Sequence, residues 1–259
     1  MNIFYKELKT AQKAAREGAK VILENTEKFD SPRVRSNDKG LVTAIDLAAE
    51  KAILQVLTTE SDYGIISEES GISGKTSGLR WVIDPLDGTN NFARKVPLFG
   101  VSIALTDSKE SLVGVINDPI HKKEYYAVKR GGAFCNGEKI KLPEFESSYL
   151  PMIFLNHGYT DLQREKHKFL TQALATDFNI LKLGTTAIEL CYVAAGAVDA
   201  FICVGDELWD FAAGVVIAQE AGCIFTDWQG NLWDGKTDHL LVSRPETHKI
   251  LVEKIKEFQ

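Results

Sequence analysis

The residues best suited to chemistry lie in one short stretch, Asp84-Pro85-Leu86-Asp87-Gly88-Thr89. It directly follows Trp81-Val82-Ile83, an apolar run that predicts a buried strand ending at Asp84-Pro85. Magnesium ions take oxygen ligands, typically one or two carboxylates together with water and phosphate oxygens. Asp, Pro and Gly also form ordinary turns, so composition alone leaves a plain turn as an alternative. The spacing does not fit a calcium EF-hand, whose loop needs alternating oxygen ligands.

Two further acidic residues stand at the ends of predicted elements. Glu68 follows a short apolar strand over residues 63–67, and Asp210 lies next to Trp209 at the start of a predicted helix. Taken alone, Asp210 is equally compatible with an acidic first-turn residue that interacts with the helix dipole. Four carboxylates brought together without a cation would repel one another and raise one another's pKa.

The run Trp81 to Phe92 resembles the signature of the magnesium-dependent, lithium-sensitive phosphatases, and especially of the inositol monophosphatase family. Other blocks agree with that family in order and approximate position. They are Leu41-Val42-Thr43-Ala44-Ile45-Asp46, Ser67-Glu68-Glu69-Ser70, Gly184-Thr185-Thr186-Ala187 and Trp209-Asp210-Phe211-Ala212-Ala213-Gly214. The resemblance therefore extends over nearly the whole chain.

The resemblance implies two magnesium ions per active site, with a third, weaker one sharing Glu68. One ion would be held by Glu68, Asp84 and the backbone carbonyl of Leu86. Asp84, Asp87 and Asp210 would hold the second ion, with Asp84 bridging the two. Two such cations can stabilise the attacking and leaving oxygens of an in-line displacement.

The same resemblance implies the catalytic and substrate-binding residues. Thr89 and Asp46 match the pair that polarises a metal-activated water, and Glu68 belongs to the same catalytic group. The implied substrate contacts are Asp87, Gly88, Thr89, Gly184, Thr185, Thr186 and Asp210. Seen in isolation, Thr89 also fits a helix N-cap and Asp46 an ordinary first-turn acid. No Ser-His-Asp triad is recognisable in the sequence.

Substrate identity is the point at which this chain departs from the family pattern. Inositol-preferring relatives commonly carry a glutamate seven residues before the motif aspartate, where it accepts hydrogen bonds from inositol hydroxyls. This chain has Cys203 there, and a thiol is a weak hydrogen-bonding group. Asp206 or Glu207 lies close enough in sequence to compensate. Inositol 1-phosphate ranks first as substrate, with fructose 1,6-bisphosphate second and 3′-phosphoadenosine phosphates as a further alternative.

The elements that must position these residues differ between the two halves of the chain. Residues 3–24 predict an amphipathic helix, a second helix follows residue 43, and residues 71–78 predict a flexible loop. Strands are predicted at Phe99–Leu105, Leu112–Asn117 and Lys123–Val128, with a hairpin turn at Asn136-Gly137. The first half is thus predicted to place two helices on a mainly antiparallel sheet.

In the second half, strand and helix patterns alternate, which favours an α/β layer. Strands are predicted at Met152–Leu155, Asn179–Leu183, Asp199–Val204 and Cys223–Thr226, and helices at Asp161–Leu174, Ala187–Ala195 and Trp209–Ala221. The expected fold is therefore α/β (α+β), and family resemblance implies a layered α-β-α-β-α sandwich of the inositol monophosphatase and fructose-1,6-bisphosphatase type. Residues 1–145 would form one subdomain carrying most metal ligands. Residues 146–259 would form the other, contributing Asp210 and substrate contacts within one compact unit.

Composition limits the remaining classes of function. The 259 residues include 36 acidic and 30 basic side chains, and the net charge of −6 argues against a general nucleic-acid or anionic-membrane binder. Neither a signal peptide nor a spanning helix is recognisable, so a soluble cytoplasmic protein is expected. The four cysteines lack CxxC pairing, which argues against zinc sites and disulfides. A homodimer is implied by the resemblance, and a non-catalytic, metal-binding interaction protein is the alternative outside enzymes.

Overall fold

The computed structural model describes residues 4–26, 34–37, 40–146, 148–233 and 239–257. The helices in these residues are α1 (Tyr5–Thr26), α2 (Ala44–Glu60), α3 (Thr89–Ala93), α4 (Asp161–Leu174), α5 (Thr186–Ala194), α6 (Leu208–Ala221) and α7 (Pro245–Glu257). The strands up to residue 139 are β1 (Val34–Asn37), β2 (Gly40–Thr43), β3 (Gly64–Ser67), β4 (Gly71–Ser73), β5 (Arg80–Asp87), β6 (Gly100–Thr106), β7 (Ser111–Asp118), β8 (Lys123–Val128), β9 (Gly132–Cys135) and β10 (Glu138–Lys139). Those after it are β11 (Met152–Leu155), β12 (Asn179–Leu181), β13 (Ala200–Val204), β14 (Ile224–Asp227) and β15 (His239–Ser243). None of the described helices has the length and apolar character needed to cross a membrane.

The larger sheet has eight strands in the order β10-β9-β8-β7-β6-β5-β3-β4. Its neighbours pair antiparallel except for β3 and β5, which run parallel. The predicted strands at 99–105, 112–117 and 123–128 are confirmed as β6, β7 and β8. The hairpin at Asn136-Gly137 is also confirmed, because both residues have positive φ, as a two-residue type I′ turn requires. The first half is therefore built on a mainly antiparallel sheet, as its alternating pattern indicates.

Helices α1 and α2 cover the outer face of this sheet. Their apolar residues lie at helical spacing, and Ala11, Ala15 and Ile22 of α1 are fully buried. They join Ile53 and Leu57 of α2 in a core that also contains residues of β5, β6 and β7. The two predicted amphipathic helices thus form the first layer of the molecule.

The five-stranded sheet has the order β12-β11-β13-β15-β14 and lies on the other side of a central helical layer. Helices α5 and α6 fill that layer and contact both sheets. Helices α4 and α7 cover the far face of the five-stranded sheet, where they share a separate core. The layer order is consequently α-β-α-β-α, which confirms the predicted fold class.

Close packing fixes α6 against the larger sheet. Gly114 in β7 leaves so little room that a Cβ atom there would lie 2.4 Å from the Ala213 carbonyl oxygen. It would also lie 2.6 Å from Cγ1 of Val216. Because Ala213 follows Asp210 by less than one helical turn, this contact also sets the position of Asp210.

Several sequence expectations are wrong in detail. The segment predicted as a flexible loop contains β4, which pairs antiparallel with β3 over Gly71–Ser73. The predicted α/β layer is confirmed, and its sheet is mixed, because β11 pairs parallel with β12 and β13 whereas β15 pairs antiparallel with β13 and β14. β15 and α7 were not predicted at all. The strand expected to stop at Asp84-Pro85 continues to Asp87, and its irregular end builds the candidate site.

Candidate active site

A β-bulge brings the two motif aspartates to the same face of the sheet. Asp84 pairs with Ser102 and Asp87 with Gly100, so two residues of β5 oppose the single residue Val101 of β6. In a regular strand, residues three apart point to opposite faces, and one extra residue reverses that parity. Pro85 is tolerated there because a bulge leaves a residue unpaired, so the missing N–H breaks no ladder bond.

Core packing agrees with this reversal. Ile83 and Leu86 both lie in the core beneath α1 and α2. Asp87 instead faces the central layer, where its Oδ2 accepts hydrogen bonds of 2.6 Å from the Thr185 hydroxyl and the Ala187 backbone amide. The turn Gly184-Thr185-Thr186 is thereby joined to the aspartate motif.

Glu68 and Asp84 meet at the adjacent ends of β3 and β5. These strands run parallel, with Ser67 opposite Ile83, so the residue following each lies at the same edge. The two carboxyl groups are in hydrogen-bond contact, while Asp84 Oδ1 also accepts from the Leu86 amide at 3.0 Å. Two carboxyl groups in contact require either a proton or a cation between them.

Asp210 reaches the same cavity from the first turn of α6. Its Oδ2 accepts a 2.6 Å hydrogen bond from the Glu207 backbone amide, which fixes the carboxylate at the start of the helix. Ser102 of β6 donates to the Trp209 carbonyl at 3.4 Å, linking that helix start to the sheet beside Asp84. The first-turn position expected from the sequence is therefore confirmed.

Thr89 and Asp46 lie together at the beginning of α3 and in the first turn of α2. The Thr89 hydroxyl is 3.4 Å from Asp46 Oδ1 and 2.9 Å from the Leu86 carbonyl oxygen. A hydroxyl carries one proton, so it can donate to only one of these acceptors at a time. Asp46 is only 2% exposed, which leaves Thr89 as the member of the pair that lines the cavity.

The cavity that these residues surround has a volume of about 340 Å³. Its lining comprises Glu68, Asp84, Leu86, Asp87, Gly88, Thr89, Asn90, Asn91, Arg94, Asn156, His157, Tyr159, Lys182, Gly184, Thr186, Asp206 and Asp210. Asp46 and Thr185 adjoin it through hydrogen bonds to Thr89 and Asp87. The structure thus brings all the sequence-predicted site residues together around one cavity.

Burial and mutual repulsion disfavour the ionised form of the carboxyl groups around the cavity. Burial raises the pKa of Glu68 to about 7, with further contributions from the charges of Glu69 and Asp46. It raises the pKa of Asp87 to about 6, although hydrogen bonds from Thr185 and Ala187 oppose the shift. Burial and neighbouring carboxylates raise the pKa values of Asp84 and Asp210 well above the ordinary range.

This donor set fits a hard divalent cation. Carboxylate oxygens and the Leu86 carbonyl are the ligands that Mg²⁺ prefers, and a cation would offset the repulsion that raises the pKa values. Within the described ranges, no three Asp, Glu, His or Cys side chains are grouped closely enough to hold a metal as they stand. Ligation would therefore draw the carboxylates closer together.

The raised pKa values predict how magnesium should affect stability at different pH. Because Glu68 and Asp87 have raised pKa values, the native state binds more protons than the unfolded chain, and the metal-free protein loses stability as pH rises toward 7. Magnesium binds the ionised form, so it should stabilise more strongly at higher pH. Melting temperatures with chelator and with Mg²⁺, at about pH 5.5 and about pH 7.5, test this. A magnesium-induced increase that is equal at both pH values would contradict it.

Comparison with known proteins places this site in context. The model of the inositol monophosphatase family matches residues 5–259. The chain belongs to the inositol monophosphatase family. It is 36% identical to the Nus factor SuhB of Pasteurella multocida over 255 residues, covering 96% of this chain and 95% of that protein.

Solved structures of the family have the same fold. The extragenic suppressor protein SuhB from Bartonella henselae superimposes with a TM-score of 0.90 at 27% identity, covering 97% of this chain and 98% of that one. The inositol monophosphatase from Anabaena gives a TM-score of 0.86 at 27% identity, covering 98% and 96%.

Glu189, a buried acid beside the cavity, is not identified in the sequence analysis. Glu189 is fully buried in α5, and its Oε1 accepts from the backbone amides of Leu183 and Gly184 at 2.6 and 3.1 Å. Burial raises its pKa to about 8. The carboxyl group holds the turn that precedes Thr185. The sequence does contain an indication of this role, because Glu189 is the single acid in the otherwise apolar segment Ala187–Ala194. A buried acid is rarely found without a partner.

Proposed function

We propose that this protein is a Mg²⁺-dependent phosphomonoesterase that hydrolyses a small phosphorylated polyol or sugar, with inositol 1-phosphate as the first candidate. The observation that carries this proposal is the convergence of Glu68, Asp84, Asp87 and Asp210 on one cavity. They come from the residue after β3, from β5 and from α6, so a common local turn does not explain their meeting. Membership in the inositol monophosphatase family supports the same reaction class.

Glu68, Asp84 and the Leu86 carbonyl would hold one magnesium ion, and Asp84, Asp87 and Asp210 a second. When bound, the ions neutralise phosphate charge and lower the pKa of a coordinated water toward neutrality. Backbone amides donate to one oxygen of each of Asp84, Asp87 and Asp210, which restricts the orientation in which these carboxylates can bind a cation.

Thr89 and Asp46 would orient the attacking water and take up its proton. The Thr89 hydroxyl donates to the Leu86 carbonyl at 2.9 Å and lies 3.4 Å from Asp46. The hydroxyl can instead donate to Asp46, which would leave its lone pairs free to accept a hydrogen bond from water. Glu68 lines the same edge of the cavity and belongs to the catalytic group that the family resemblance implies.

The substrate phosphate would lie between the aspartate motif and the turn Gly184-Thr185-Thr186. Gly88, Thr89, Gly184 and Thr186 line the cavity, and the Thr185 side chain is joined to Asp87. The cationic side chains of Arg94 and Lys182 also line it, which offsets part of the negative charge encountered by an incoming phosphate.

A panel assay tests the reaction class. Folded wild-type protein with Mg²⁺ should release phosphate from at least one of inositol 1-phosphate, fructose 1,6-bisphosphate and 3′-phosphoadenosine 5′-phosphate, and chelator should abolish the release. Parallel reactions with lithium test the inhibition that the family resemblance implies. Release that persists in chelator would contradict the metal-dependent mechanism.

A non-catalytic interaction role is the second candidate. The relative from Pasteurella multocida is named Nus factor SuhB, a name that does not describe a phosphatase. Retention of both Asp46 and Thr89 beside the four carboxylates favours catalysis, because binding alone does not need a water-polarising pair. If folded protein loaded with Mg²⁺ releases phosphate from none of the substrates in the panel, the result would favour the interaction role.

By family resemblance we also propose that the protein is a homodimer.

A further inference from the structure

Position 203, where family resemblance implies a polyol-binding acid, lies out of reach of any ligand. Cys203 is fully buried in β13. Its thiol is hydrogen bonded to the carboxylate of Asp206, which belongs to the turn between β13 and α6. Asp206, unlike Cys203, lines the cavity. The carboxylate at this end of the cavity is therefore supplied three residues later in the chain.

The Asp206 carboxylate is held in a defined position. Its Oδ2 accepts a 2.8 Å hydrogen bond from the Thr186 hydroxyl of α5. The preceding residue, Gly205, packs so closely against Gln163 of α4 that a Cβ atom there would lie 2.1 Å from Nε2. Contacts from two helices and from the Cys203 thiol thus restrict the turn. A carboxylate fixed in this way is suited to specific recognition, since little side-chain freedom remains to be lost on binding.

Asn156 adds a second acceptor to the same wall. The residue lines the cavity and is only 4% exposed, and its Nδ2 donates to the Thr186 hydroxyl at 3.2 Å. Its Oδ1 is buried and has no hydrogen-bond donor among the described residues. Buried polar atoms are normally paired, so an orphaned acceptor beside a cavity indicates a donor that arrives with a ligand.

Acceptors therefore dominate the wall formed by Asn156, Thr186 and Asp206, which we name the acceptor wall. The Thr186 proton is already directed at Asp206, so this hydroxyl offers a ligand no donor. A second phosphate facing Asp206 would meet a like charge, which the neighbouring Lys182 ammonium group opposes. Sugar or polyol hydroxyls, which are donors, complement both Asp206 and Asn156.

We infer that Asp206 is the specificity-determining residue of this protein, accepting hydrogen bonds from substrate hydroxyls and selecting polyol monophosphates over esters without neighbouring hydroxyls. The inference rests on the proposed function. In this proposal the Asp206 carboxylate, from the β13–α6 turn, takes the role of the acid that family resemblance implies at position 203.

The test compares Asp206→Asn with wild type on inositol 1-phosphate and on 4-nitrophenyl phosphate, which has no hydroxyl groups. Loss of one charge-assisted hydrogen bond should raise the KM for inositol 1-phosphate about tenfold, with a smaller change in kcat. The kcat/KM for the aryl ester should change by less than about threefold, because that substrate makes no such bond. The ratio of the two kcat/KM values is the readout.

Asp161→Asn is the matched control, because it makes the same change of side chain at a fully exposed position of α4 that is absent from the cavity lining. It should keep the wild-type ratio. Should Asp206→Asn fail to fold, Asp206→Ser is measured in its place. An equal loss on both esters, or an unchanged ratio, would overturn the inference. If wild type hydrolyses only the aryl ester, the polyol assignment is overturned, and if it hydrolyses neither, the proposed function fails as well.

Discussion

Replacing Asp87 by Asn should lower kcat/KM about 10³-fold while leaving the protein folded. Metal-ion stabilisation of phosphoryl transfer contributes several kcal/mol, and each 1.36 kcal/mol corresponds to a factor of ten. The amide keeps the shape of the side chain and an oxygen that can accept from Thr185 and Ala187. It removes the charge that the proposed second magnesium ion requires.

Stability measurements separate this effect from unfolding. Burial raises the pKa of Asp87 to about 6, which means that the native state disfavours its ionised form. The Asn variant should therefore melt in chelator at the same temperature as wild type or higher, and gain less from Mg²⁺. Asp161→Asn, at a fully exposed position of α4, is the control and should match wild type in turnover. If a folded, metal-dependent Asp87→Asn variant retained turnover, the assignment of Asp87 as a metal ligand would be wrong.

Gly114→Ala should lower the free energy of unfolding by about 2–3 kcal/mol, near the upper end for an overpacked core. The added Cβ would lie 2.4 Å from the Ala213 carbonyl oxygen, and backbone cannot rotate aside as a flexible side chain can. Relief of this clash moves α6 away from β7 and carries Asp210 with it. Turnover should therefore fall as well, in a variant whose change lies outside the cavity.

Denaturant unfolding and phosphate release measure the two parts of this prediction. Gly137→Ala is the control, because a Cβ there meets no atom within 4 Å and only the positive φ of the hairpin turn is strained. It should cost about 1 kcal/mol and leave kcat/KM unchanged. Equal stability losses in the two variants would show that α6 does not depend on this contact.

The residue types of the candidate site can be predicted from the sequence more reliably than the strand pairing that brings them together. Asp84 and Asp87 are recognisable from their motif, but the sequence predicts that the strand stops at Asp84-Pro85, whereas β5 continues to Asp87. Alternation along β5 predicts opposite faces for residues three apart, and the bulge that reverses this depends on pairing with β6. Register of that kind is a property of two strands, and no local pattern in either one specifies it.

The edges of the two sheets illustrate the same limit. β4 has only three residues in a stretch rich in Gly and Ser, so local composition favours a loop, and pairing with β3 decides otherwise. Strong periodic elements such as α4 were predicted with the observed bounds, Asp161–Leu174. The role of Asp206 was open in the sequence, where Glu207 was an equal alternative. Which of the two lines the cavity depends on the path of the β13–α6 turn.

The central layer of α5 and α6 has a consequence for the order in which the protein can become active. Asp84 and Asp87 occupy one sheet, while Asp210 and the residues that anchor Asp87 belong to helices between that sheet and the next. These groups are far apart along the chain, so their meeting requires long-range contacts, which carry a larger loop-closure entropy than local ones. Neither sheet alone holds a complete set of carboxylates. Under the proposed function, an incompletely folded chain would therefore lack the complete site that hydrolysis of a phosphate ester requires.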